Sequence, residues 1–144
     1  MKETWVLPCN IKYYDIEKHF KENETIVWAK RKNICNEDVV YVYLAAPYSE
    51  IKYKCLVEDS SISLDYVEKT APYALVNTEN GPFKDYMLLK IVKEYPEGML
   101  KRSELNQHGL GQVQMVARAD RRLKAYIDDL EKIEKGVNNG NYTE

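Results

Sequence analysis

Two alternating runs near the middle of the chain constrain the fold more than anything else in the sequence. Residues 39–46 (VVYVYLAA) place Tyr41 and Tyr43 on one side of an extended strand and Val40, Val42 and Leu44 on the other. Residues 51–57 (IKYKCLV) set Ile51, Tyr53, Cys55 and Val57 against Lys52, Lys54 and Leu56. Pro47, Tyr48, Ser49 and Glu50 lie between the runs, so the spacing predicts an antiparallel hairpin with a four-residue connection. The remaining segments are read by what they add to that pair.

Residues 4–9 (TWVLPC) read as a first strand, apolar on both faces after Thr4. Asn10 can cap a short helix over residues 11–23, with Tyr13, Ile16 and Phe20 as its apolar stripe. Residues 25–29 (TIVWA) are brief and β-rich, and the polar stretch 31–38 ends in a turn at Glu37-Asp38. Residues 60–84, with Pro72, Gly81 and Pro82, predict an excursion with little regular structure; residues 86–95 (YMLLKIVKEY) predict a last long strand. Ser103 caps a short helix over 104–108 that Gly109 ends. Asp120 caps a longer helix to about Lys135, with Leu123, Ile127, Leu130 and Ile133 as its core stripe and Gly136 as its stop. No β-α-β alternation is visible. The expected class is α+β: a small, strongly curved mixed sheet of about five strands that closes into a barrel, with flanking helices. One domain covers residues 1–136, and residues 137–144 form a flexible tail.

Composition narrows the chemistry. The 144 residues hold 21 Lys+Arg and 23 Asp+Glu, so a chain-wide basic field for nucleic acid is excluded. Cys9, Cys35 and Cys55 form an odd set without a C-x-x-C pair, which argues against a disulfide framework and a Cys-only zinc site and for a reducing compartment, the cytoplasm. No leader is apparent, and no membrane association is expected, because the longest apolar run falls far short of the roughly 20 residues of a membrane span. His19 and His108 have no second ligand at metal spacing, so no metal and no cofactor is expected; His19, between Lys18 and Phe20, reads as a surface residue. Phosphate-cradling glycine loops and a nucleophile elbow are both missing.

Three signals remain. Asp38 followed by Glu50, Ile51 and Lys52 mimics the D…E-x-K pattern in which two carboxylates hold Mg²⁺ and the lysine assists the attacking water. Residues 99–126 hold six basic residues (Lys101, Arg102, Arg118, Arg121, Arg122, Lys124) against acidic Glu104 and Asp120, a basic island in an acidic chain. Arg118, Arg121 and Arg122 stand at helical spacing near a helix N-terminus, where phosphate is favoured. The third signal is aromatic: twelve Tyr and two Trp beside only two Phe, with Trp5, Asn10, Tyr13, Tyr14, Trp28, Tyr41, Tyr43, Pro47 and Tyr48 in or beside strand ends and Gln112 and Gln114 on an alternating polar loop. Aromatic walls stack a flat ring, and amide side chains read its donor–acceptor edge.

The order of these motifs resembles the EVE domain of the PUA-like superfold. The residues that carry the likeness are W-V-L-P-C-N at 5–10, Tyr14-Asp15, Phe20, Trp28, E-D-V-V-Y-V-Y at 37–43, Pro47, I-K-Y-K-C-L-V at 51–57, and Gly111, Gln114 and Arg118 ahead of Leu123, Tyr126 and Ile127. Within that superfold it is similar to the EVE-like modules fused to HNH-type restriction nucleases, and the likeness spans about residues 4–130. It departs at Glu37-Asp38, where relatives commonly have Gly-Asp, which leaves the turn type open.

The resemblance implies a curved barrel with an aromatic cage on one face, which takes a flipped or single-stranded, modified base without catalysis of its own. On that reading Trp5, Tyr13, Trp28, Tyr43, Pro47 and Tyr48 supply the cage. Asn10 and Gln114 read the base edge, and Arg118, Arg121 and Arg122 meet phosphate. The expected partner is nucleic acid, DNA before RNA, with a separate nuclease or other effector protein alongside. Two alternatives stand beside it: a protein- or small-ligand-binding module, favoured by the acidic net charge, and the metal-dependent nuclease of Asp38, Glu50 and Lys52.

Overall fold

The structure, a computed structural model, describes residues 2–77 and 85–140. Its elements run β1 (Thr4–Cys9), α1 (Ile16–Glu22), β2 (Thr25–Ala29), β3 (Val39–Leu44), β4 (Glu50–Ser63), α2 (Leu64–Thr70), β5 (Asp85–Glu94), α3 (Arg102–Leu105), β6 (Ala117–Arg118) and α4 (Arg121–Gly140), with 3-10 turns at Pro72–Asn77 and Asn106–His108. The six strands form one mixed sheet in the order β2-β5-β4-β3-β1-β6. The central hairpin is β3 on β4, from Val39 opposite Leu56 to Leu44 opposite Glu50. The exception to antiparallel pairing is β1, which runs parallel to β3 and antiparallel to β6.

Backbone directions explain how β1 tolerates a proline. The carbonyls of Glu3 and Cys9 face β3 and accept from the amides of Val39 and Ala45, whereas the Thr4 carbonyl faces β6 and accepts from Ala119. Pro8 shares the side of Thr4, and β6 pairs only with Trp5 and Val6, so the missing N–H costs no ladder bond. Register breaks between Val42 and Tyr43, and at three places along the β4–β5 ladder, add twist. The sheet therefore curls until Trp28 of β2 and Trp5, Leu7 and Cys9 of β1 share one inner core, although three strands separate β1 from β2 in the sheet order.

The expected barrel does not close. The edges are β2 and β6, and no ladder joins them among the described residues. With five residues in β2 and two in β6, the edges offer few ladder positions to pair. The outer face carries Val6, Tyr41, Tyr43, Ile51 and Tyr95 beneath α4. Leu123 and Ile127 are buried there, each contributing about 1.5–3 kcal/mol, while Ile133, expected in the same stripe, is 61% exposed. The Tyr95 hydroxyl donates to Glu131, and Lys54 and Lys93 pair with Glu131 and Glu134, which fixes the helix across β4 and β5.

Several expected boundaries move. Asn10 does not cap a helix: its Oδ1 accepts from Lys12 N in a local turn, and α1 begins later, where Asp15 accepts from Lys18 N. The span after residue 60 is ordered as the end of β4, then α2 capped by Ser63 Oγ, then a 3-10 turn. Arg118 lies in β6 rather than on a helix, so it does not share a helical face with Arg121 and Arg122. Gly136 does not stop α4, which continues to Gly140; residues 78–84 and 141–144, where parts of the expected excursion and tail fall, lie outside the described residues. The three cysteines are free, with Cys35 exposed. Burial pushes the thiols of Cys9 and Cys55 up to about 12.

Candidate functional site

The curl leaves a cleft where the end of β1, the end of β2 and the segment 113–116 converge. It holds about 200 Å³ and is lined by Leu7, Pro8, Asn10, Tyr13, Trp28, Ala29, Arg31, Ala45, Val113, Gln114, Met115 and Val116. That is smaller than the roughly 300–1,000 Å³ of clefts that bury drug-sized ligands, and is the scale of one ring system. The floor is aliphatic and buried, with Leu7 at 4% and Val116 at 2% exposure. Two large apolar side chains stand open at the mouth, Tyr13 at 58% and Met115 at 59% exposure. Exposed apolar surface beside a concave floor marks a binding surface more often than chance. Asn10, Gln114 and Arg31 supply polar groups at the same mouth. Since the Asn10 carbonyl oxygen is held by Lys12 N, its NH₂ end is the part that can meet a ligand, as a donor.

Four of the eight expected base-contacting residues meet here: Asn10, Tyr13, Trp28 and Gln114. Trp28 is 6% exposed, so it shows the cleft a sliver and gives the rest to the core. The other four do not line it. Trp5 is buried, and its indole N–H donates to Asp38 Oδ2 at 2.9 Å. Tyr43 faces the opposite side of the sheet, in the core under α4. Pro47 is exposed in the hairpin connection, and Tyr48 packs against the far end of the inner core, where the Glu17 carboxylate raises its hydroxyl above the ordinary tyrosine value. Arg31, Met115 and the alanines were missed; small or exposed residues of short loops carry no periodic signal that would mark them.

Beside the cleft lies a second hollow of about 280 Å³ that shares Val113 and Met115 with it and includes Gln112 and Arg118. The alternation of the 112–114 loop thus sends its two glutamines to two neighbouring compartments. The Arg118 guanidinium sits 5.4 Å from the centre of the Trp5 ring, which makes Trp5 its platform rather than a cage wall. Arg122 folds back on Asp120, with Nε 3.3 Å from Oδ1, and Asp120 Oδ1 also accepts from Arg122 N at 2.7 Å. The first turn of α4 is therefore capped by its own aspartate, which is held below the ordinary carboxylate value chiefly by those Arg122 hydrogen bonds. Arg121 is exposed at the same turn.

The nuclease constellation is not assembled. Asp38 precedes Val39 at one end of the hairpin, and Glu50 pairs with Leu44 at the other, about 20 Å away at roughly 3.3 Å per residue. Asp38 instead holds three donors at 2.9 Å: the amides of Glu3 and Cys35 and the Trp5 indole. Burial opposes its ionisation, but those donors outweigh it and hold the carboxyl below its ordinary value. Glu50 accepts from Gly98 N through Oε1, and Lys52 reaches Glu94 at 3.7 Å. His19, expected at the surface, is buried: Nε2 meets the Thr25 carbonyl at 2.8 Å and Nδ1 the Tyr14 hydroxyl at 2.6 Å, against the Tyr73 ring. A carbonyl only accepts, so Nε2 carries a proton and donates it to Thr25 O.

The same arrangement of sheet and helices occurs in solved structures. A hypothetical protein from Leishmania major superposes with a TM-score of 0.64 over 94% of this chain and 98% of that one, at 16% identity. Human THYN1, solved in complex with 5-methylcytosine containing DNA, gives a TM-score of 0.61 over 90% and 98% of the two chains at 12% identity. The fold is PUA-like. The ASCH protein from Zymomonas mobilis matches as well, with a TM-score of 0.62 over 89% and 95% at 7% identity. A narrower assignment to the EVE branch does not follow from likenesses at this level of identity. No protein-family model and no curated protein matches the sequence. At Glu37 the backbone holds φ of 72°, the left-handed conformation that glycine adopts without strain, so the Glu37-Asp38 turn is of glycine type although glutamate occupies it.

Proposed function

We propose that this protein is a non-enzymatic nucleic-acid reader that takes a single unpaired or flipped base, DNA before RNA, into the cleft between β1, β2 and residues 113–116. The observation that carries the reading is the company Tyr13 keeps. An open aromatic face and the open Met115 side chain flank an aliphatic floor of ring size, with the amides of Asn10 and Gln114 at the rim. Stacking on such a face contributes about 1–3 kcal/mol per base. Extruding a base from a duplex costs a few kcal/mol, which favours single-stranded or modified targets. The complex of the PUA-like human protein with methylated DNA supports a DNA partner and a modified base. Any cleavage would come from a separate effector protein, since Asp38 and Glu50 are structural anchors at opposite ends of a hairpin.

The test is a titration of labelled single-stranded oligonucleotides that differ in one base, cytosine or 5-methylcytosine, across a range of salt. Asn10→Ala or Gln114→Ala loses the preference between the two and keeps the salt slope. Arg118→Gln lowers the slope of log K against log salt by about 0.7–0.9 and weakens both oligonucleotides alike. An unchanged preference in both amide variants overturns the reading.

A further inference from the structure

We propose that the hollow next to the cleft is a phosphodiester subsite, which holds the phosphate of the nucleotide whose base occupies the cleft. This rests on the reading above and adds where the backbone of the ligand runs. Val113 and Met115 line both compartments, so one ridge separates them and a ligand in the first has a direct path to the second. The hollow holds about 280 Å³. Its cation is Arg118, exposed, seated over the Trp5 ring, and without a carboxylate partner among the described residues. Asp120 also lines the hollow, but Arg122 occupies both its oxygens, so Arg118 is left to meet an anion. The Arg122 amide behind Asp120 is not offered, because the Asp120 side chain already accepts from it.

Gly111 supplies the second observation. Its φ lies outside the left-handed region, and a Cβ built there meets no atom within 4 Å. Neither conformation nor packing calls for a glycine at this position, in contrast to Gly109, whose φ is 103° and whose Cβ would lie 2.9 Å from Asp120 Cγ. Gly111 lines the hollow, so its bareness keeps space open there for a ligand backbone. A Cβ at 111 meets nothing in the free protein, and a side chain extended from it reaches into the proposed subsite.

The experiment compares deoxycytidine and 5-methyldeoxycytidine with their 3′,5′-bisphosphates by calorimetric titration of the full chain. The bisphosphate binds about tenfold or more tightly than its nucleoside, the effect of a charge-assisted contact. Gly111→Leu removes that advantage and leaves nucleoside affinity and the melting temperature unchanged, and Arg118→Gln removes the advantage as well. Equal binding of nucleoside and bisphosphate by the wild type overturns the subsite while the base cleft stands. Bisphosphate advantage retained in both variants also overturns it. If no nucleoside and no bisphosphate binds, the base-cleft reading fails and the subsite with it.

Discussion

Trp28 and Tyr13 line the same cleft, yet Trp28 is 6% exposed and Tyr13 58%. The two aromatics are therefore separable by mutation. Tyr13→Ala leaves the fold intact and reduces base binding by about 1–3 kcal/mol, the worth of one stacking contact. Trp28→Ala opens a cavity in the inner core and lowers stability by about 3–5 kcal/mol, with any loss of binding following from that. A chemical denaturation curve beside a binding titration separates them. Tyr13→Ala binding at wild-type strength would remove it from the site.

Asp38 ties the chain start to the hairpin through Glu3, Cys35 and Trp5. Its folded-state carboxyl is held below the ordinary value, so its contribution is fully present above the unfolded value of about 3.9 and is lost as pH falls through the folded one. Asp38→Asn should cost about 1–3 kcal/mol at pH 7, and the gap between variant and wild type should narrow as pH falls below about 4. Denaturation at a series of pH values measures this; a gap that widens towards acid contradicts it.

Glu37 sits at φ of 72°, and its ion pair with Lys2 is 67% exposed on both sides. The left-handed conformation costs a non-glycine residue roughly 1–2 kcal/mol, whereas such a surface pair contributes less than about 1 kcal/mol. Glu37→Gly should therefore raise stability by up to about 1 kcal/mol, read as a higher denaturant midpoint at unchanged slope. A lower midpoint would mean that the turn is relaxed as it stands.

What the sequence made legible was local. The hairpin of β3 and β4 showed because alternation and Pro47 are short-range signals, and α4 showed through Leu123 and Ile127. The polar end of β4 did not, because residues such as Asp59 and Ser63 are held extended by pairing with Leu88 and Asp85, not by a pattern of their own. The two residues of β6 carry no periodicity at all. Asn10 and Gln114 were found as candidates because amides beside aromatics suit a base edge, but their meeting depends on a curl that no local window contains. Trp5 and Tyr43 were misplaced for a related reason: aromatic type marks a half-buried surface without saying which face, and Trp5 spends its indole N–H on Asp38, 33 residues away.

The most direct measurement uses the two indole N–H groups as reporters in a proton–nitrogen spectrum. Trp28 lines the cleft, and Trp5 is closed off by Asp38. Titration with 5-methyldeoxycytidine, which carries no phosphate to engage Arg118 on the Trp5 ring, should shift the Trp28 indole signal and the side-chain amides of Asn10 and Gln114, while the Trp5 indole signal stays nearly still. Shifts confined to the face around Tyr14, His19 and Tyr73, or a moving Trp5 signal with a still Trp28, would place the ligand elsewhere and contradict the cleft as the base site.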